Sequence, residues 1–253
     1  MSATARPAAS APVRRPRGPG WVPNQHGAWA MLATPLLVGL LASRPRWVHL
    51  PLAAFWFVGY FAFFATGLWL KSRRKARYLP PVRAYGLAAI VLGALTLALE
   101  PALIRWAPLF LLPLGIGLVA SARRDERALV SGLATTVGSC LMTPVSYAAG
   151  HGPDDTRAWV LAAVLAAYFG GTVVYVKTMI RERGSRPHLW LSIGWHAVAT
   201  ILMVAVSWPL VAIFAALTAR AALFPRRTLT PKQVGLIEVV FTVAVAVAAL
   251  LTT

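Results

Sequence analysis

The scarcest side chains in this chain are those able to move a proton or hold an ion. Seven Asp and Glu residues and five His stand against 25 Lys and Arg in 253 residues. Glu238 is the sharpest case. It falls about two turns into an apolar run, PKQVGLIEVVF, with Gly235 and Thr242 at spacings that share its helical face. An ionisable group inside a bilayer is costly, so it marks either a working position or a buried pair. Glu238 therefore reads as a functional carboxylate or as the partner of a neighbouring Arg or Lys. His196, in LSIGWHAVAT, has Ser192 and Thr200 one turn to either side, a short polar stripe on an apolar helix. The plainer reading is a hydrogen-bonded packing histidine.

The segment VYVKTMIRERGSRPHLW sets Lys177, Arg181 and Gly184 on one helical face, with Arg183 beside them and Glu182 four residues from Arg186. Clustered guanidinium groups hold a phosphate or lipid headgroup bidentately, although basic residues at a span end also serve simply to orient the chain. Near the start, WVPNQHGAWAML presents Asn24, Gln25 and His26 at the mouth of the first apolar run, between Trp21 and Trp29, which suit an interface belt. In the fifth run Ser131, Thr135, Ser139, Thr143 and Tyr147 recur every four residues. They line a cavity or, more blandly, let helices pack closely together with Gly132 and Gly138. No second His or Cys stands at ligand spacing and Cys140 is the sole cysteine, so neither metal nor cofactor is expected. There is no glycine-rich phosphate loop and no Ser-His-Asp set.

Positioning these groups falls to apolar elements. Hydrophobic residues make up 58% of the chain and charged ones 13%, about half the charge of an ordinary soluble domain, so the membrane is the solvent. Candidate spans run from 24 to 42, 47 to 70, 83 to 100, 102 to 120, 128 to 149, 158 to 177, 188 to 206, 209 to 224 and 233 to 252. The weakest division is at Ser207, Trp208 and Pro209, and Pro35, Pro113 and Pro144 fall inside spans. Residues 1–20, rich in Ala, Pro and Arg, predict a disordered basic tail before a transmembrane domain of residues 21–253.

Counting Lys and Arg tests the spans independently. Twenty-one of the 25, Arg220 among them, fall in the tail and the even-numbered connections, leaving Arg44, Arg46, Arg105 and Arg157 for the other side. The asymmetry predicts a cell-membrane protein with a cytoplasmic N-terminus and an external C-terminus. It also explains the net charge of +18 without nucleic acid.

The PNQHGAWAML opening, the basic second connection, and the Tyr-Val-Lys and Arg-Glu-Arg runs together resemble the YwiC-like family of multi-pass membrane proteins. A more remote similarity is to the UbiA-type prenyltransferases, which have nine helices, a cytoplasmic N-terminus and magnesium-binding aspartates in the second and sixth connections. Here the second connection, GLWLKSRRKARYLPPVR, has no acid and the sixth offers only Glu182. The resemblance thus implies the scaffold and a lipid-lined cavity rather than magnesium-dependent prenyl transfer.

The expectation is an all-α, multi-pass transmembrane bundle of about nine helices, UbiA-like. It would bind an amphipathic anionic molecule such as an anionic lipid or isoprenoid, with its head near Lys177, Arg181 and Arg183. The rivals are an altered lipid-modifying enzyme using Glu238, Glu182 or His26 as acid or base, a transporter, and a membrane subunit that stabilises a partner. No internal repeat supports the transporter.

Overall fold

The computed structural model describes residues 20–23 and 27–253, and every regular element among them is helical. The helices are α1 (Ala28–Ala42), α2 (His49–Lys71), α3 (Leu79–Leu99), α4 (Ala107–Ala122), α5 (Leu129–Cys140), α6 (Met142–Ala149), α7 (Asp155–Ile180), α8 (Arg186–Met203), α9 (Trp208–Leu223) and α10 (Pro231–Thr252). Helices α5 and α6 are one helical unit interrupted at Leu141, so the described residues make nine helical units, the number of helices expected. Pro144 explains the interruption, because its ring cannot sit against the carbonyl of residue 140 in a continuous helix. The doubtful division is real: α8 stops at Met203, Ser207 is extended and Pro209 occupies the first turn of α9.

Several boundaries move from their expected places, among them those of α3 and α7. Helix α3 begins at Leu79, four residues before the expected start, because Pro80 and Pro81 fit the first turn, where no amide donor is needed. Helix α7 runs on to Ile180, so Lys177 lies in its last turn. Arg181 ends the helix and Gly184 follows at φ +86°, in a turn rather than on a shared helical face.

Seven helical segments are long and apolar enough to cross a membrane. Of the other two helical units, α1 is apolar but has only 15 residues, and α8 is polarised by Arg186, His188 and His196. Large apolar side chains face outward along their length, among them Leu87, Ile90 and Leu95 on α3, Leu111 and Leu112 on α4 and Val243 on α10. Water would not tolerate so continuous an apolar surface, whereas lipid favours it. The chain is a multi-pass membrane protein.

Helix α7 is the centre of the bundle, with Leu161, Leu165, Tyr168 and Phe169 buried against α8, α9 and α10. Helix α1 joins it to the amino-terminal half through a close contact with α6: the Ser146 hydroxyl donates to the Leu36 carbonyl over 2.8 Å, and Gly39 sits against the backbone of Thr143.

Contacts between connections define the two ends. At one end the Arg124 side chain donates to the Lys71 carbonyl and Arg183 to the Arg227 carbonyl. At the other, Arg46 and His151 meet Glu100, and Arg157 reaches the carbonyls of Ala42 and Leu250. The first end carries Lys71, Arg73, Arg74, Lys75, Arg77, Arg123, Arg124, Arg127, Arg181, Arg183, Arg226 and Arg227 and is the basic end.

Candidate functional site

The structure places Glu238 against an arginine that the charge count had assigned to a connection. Arg220 lies in the last turn of α9, is 2% exposed, and pairs through Nη1 with Glu238 Oε1. This corrects the reading of Arg220 as a topology signal. Three residues before the end of α9 a side chain points back along its own helix and into the bundle.

The other carboxylate oxygen, Oε2, accepts from the Thr172 hydroxyl at 2.9 Å, and the Tyr168 hydroxyl stands 3.4 Å away. Tyr168 also donates to the Glu238 carbonyl, which the Thr242 hydroxyl shares. A capping box at Thr230 and Gln233 fixes where α10 begins. That start sets Glu238 about 10 Å below the helix end, at 1.5 Å per residue.

His196 completes the centre. Its Nδ1 lies 2.7 Å from the Ser192 carbonyl, which only accepts, so Nδ1 carries the hydrogen. The Nε2 lone pair then faces Arg220 Nη2 at 3.2 Å. Arg220 is stacked between the rings of Tyr175, 3.9 Å from its guanidinium carbon, and Phe241, at 5.1 Å. With arginine charged, glutamate ionised and histidine neutral, the centre is buried and electrically neutral, built from all four helices of the carboxyl-terminal half.

The remaining expected residues gather less. Glu182 meets His188 at 3.6 Å rather than Arg186. Arg183 donates to the Arg227 carbonyl, and Lys177 and Arg181 stand at the same basic end without joining Glu238. Asn24, Gln25 and His26 lie outside the described residues. Trp21 packs with Tyr85, and Trp29 with Phe57, Tyr60 and Phe61, in a run of mostly edge-on ring contacts, an arrangement more specific than an interface belt.

A cavity of about 550 Å³ lies in the amino-terminal half. Its wall comes from α1 to α6, with Phe55, Trp56, Tyr60, Phe63, Trp106 and Phe110 supplying aromatic faces. The hydroxyl stripe of the fifth crossing divides here: Thr135 and Ser139 line the cavity, while Ser131, Thr143 and Tyr147 are buried in packing. Both readings of that stripe were right for part of it. The hydroxyls of Thr96 and Thr135 are turned onto carbonyls of their own helices, which leaves the wall apolar. Its size falls within the roughly 300–1,000 Å³ of small-molecule sites.

Two relatives decide the kinship. The Bacillus subtilis (strain 168) protein described as "Uncharacterized protein YwiC" is 33% identical over 222 residues, covering 87% of this chain and 92% of that protein. The chain belongs to the YwiC-like family. The YwiC-like protein profile matches residues 22–147, the stretch that builds the cavity wall. A second relative of this YwiC-like chain, an "Uncharacterized protein" of Haemophilus influenzae (strain ATCC 51907 / DSM 11121 / KW20 / Rd), is 30% identical over 228 residues, covering 87% of this chain and 93% of that one. No solved structure matches the chain.

Proposed function

We propose that this protein binds an amphipathic, anionic molecule, its apolar portion enclosed by α1–α6 and its acidic head turned toward the basic end. The observation that carries the reading is the apolar, aromatic-walled cavity, which extends from Leu103 and Trp106 near the opposite end to Ala28, the first residue of α1 at the basic end. Lys177, Arg181 and Arg183 add to the positive surface there, and guanidinium groups suit a phosphate or carboxylate head. The same charge asymmetry supports a cell-membrane protein whose basic end is cytoplasmic, with the C-terminus outside. The enzyme reading is weaker, because Glu238 is engaged by Arg220 and Glu182 stands beside His188.

The test is native mass spectrometry of the purified chain with its retained lipids, compared with Gly59→Leu. Gly59 lines the cavity, and a Cβ built there meets nothing within 4 Å, so leucine fills space without a clash at its root. Retention of an anionic lipid should fall about tenfold or more, since a filled pocket loses the apolar burial that drives binding, while the melting temperature holds. Unchanged retention in Gly59→Leu overturns the reading. Charge reversal at Arg181 should reduce retention of the same molecule.

A further inference from the structure

The carboxyl-terminal half contains a second place where chemistry is concentrated, independent of the cavity. Replacing a buried ion pair with apolar residues is often neutral or favourable for stability, so packing alone gives little reason to keep Arg220 and Glu238 in a membrane. The donor set has a definite shape. Arg220 Nη1 faces one oxygen of a carboxylate and the Thr172 hydroxyl faces the other, while Tyr168 donates to the Glu238 backbone carbonyl. Glu238 itself shows what these donors recognise.

Three further polar atoms point to a ligand. Arg220 Nε, the Tyr175 hydroxyl and the Ser192 hydroxyl are buried with no protein partner, on residues no more than 2% exposed. They belong to one run of direct contacts: Arg220 stacks on Tyr175 and meets His196, and His196 bonds to Ser192. Buried donors are rarely left unmatched, and three in one run of contacts are the signature of a place built to meet a further polar group.

We propose that the Arg220–Glu238–His196 centre binds a carboxylate together with one proton. The proton goes to Glu238, whose bond to Arg220 is released. The incoming carboxylate takes the vacated position on the guanidinium, and the unmatched donors of Arg220, Tyr175 and Ser192 are available to it. Charge balances throughout: an internal carboxylate and an arginine become a neutral carboxylic acid and an arginine paired with the ligand. Binding the anion alone would leave an extra negative charge in low dielectric, which is why the two enter together. The groups facing Glu238 are Arg220 from α9, Tyr168 and Thr172 from α7, Thr242 from α10 and, through Arg220, His196 from α8. His196 does not take the proton, because its Nε2 lone pair already accepts from Arg220.

The experiment is calorimetric titration of the full chain in phosphatidylcholine nanodiscs, with acetate and with dodecanoate, in two buffers of different ionisation enthalpy. One proton should be taken up per anion, and the apparent Kd should weaken about tenfold per pH unit. Glu238→Gln, a permanently neutral carboxyl mimic, should bind with no proton uptake and a flat pH dependence. Arg220→Gln should lose binding, and its thermal unfolding shows separately whether it folds. A response to acetate assigns the site to soluble carboxylates, and a response to dodecanoate alone assigns it to a membrane source. Failure of both probes in the wild type and in Glu238→Gln overturns the proposal. So does wild-type binding without proton uptake.

Discussion

At the scale of single residues the pair Arg220–Glu238 is the least forgiving contact in the molecule, because removing one partner leaves a charge stranded where neither water nor lipid can compensate it. Arg220→Ala should therefore cost about 3–5 kcal/mol, the range for breaking buried pairs, whereas Arg220→Met combined with Glu238→Leu should recover most of that loss. Unfolding of the single and double variants in detergent measures the difference. Equal losses in both would mean that the pair contributes only its packing volume. Glu100, between α3 and α4, behaves differently. Hydrogen bonds from His151 and then Arg46 hold its carboxyl below the ordinary 4.5, at 2.7 Å and 2.9 Å. A lowered value in the folded state adds stability that is complete above pH 4.5 and is lost as pH falls through the folded value. The melting temperatures of wild type and Glu100→Gln should differ at pH 7 and converge as pH drops below about 4.5. A gap independent of pH would remove the ionic account of this contact.

At the scale of elements, close packing makes glycine positions unequal. A Cβ at Gly39 would fall 2.8 Å from Ser146 Cβ and closer still to the Thr143 carbonyl, so Gly39→Val should overpack the α1–α6 contact and cost about 1–3 kcal/mol. At Gly235 a Cβ meets nothing within 4 Å, and Gly235→Ala should raise stability by about 0.5–1 kcal/mol through helix propensity alone. Thermal unfolding of the two variants checks the opposite signs. The helices themselves were legible in the sequence because a bilayer demands uninterrupted apolar runs, and the break at Ser207 was visible as a proline signal. The role of Pro144 was only half legible: a proline in a span was noted, but whether a helix bends or breaks depends on what packs beside it. Glu238 was read as a functional carboxylate or the partner of an Arg or Lys, and the structure gives it an arginine partner that the sequence did not identify. Arg220 stands six residues before a basic Arg226–Arg227 step, and the linear sequence gives no sign that it turns inward while those two stay at the surface. The cavity was foreshadowed by Thr135 and Ser139 alone: its aromatic wall sets Phe55, Trp56, Tyr60 and Phe63 of α2 against Trp106 and Phe110 at the start of α4, and nothing in the linear sequence says that these two groups face each other.

At the scale of the whole molecule, two halves carry different chemistry: α1–α6 enclose apolar space, and α7–α10 enclose charge. Reporter fusions after Lys75, Ser185 and Arg227 should score cytoplasmic, and those after Pro153 and Thr253 external; a cytoplasmic C-terminus would reverse the orientation drawn from the basic end. The ion pair also has a consequence for how the protein is made. Arg220 and Glu238 belong to successive crossings joined by only seven residues, 224–230. Inserted one at a time, α9 and α10 would each carry a lone charge into hydrocarbon, at about 2.5–3.5 kcal/mol apiece by insertion scales. Entering as a hairpin, they would neutralise each other before meeting lipid. The order of synthesis is thus coupled to the chemistry of the finished centre, with α9 favoured to wait beside the insertion machinery until its acidic partner has emerged from the ribosome.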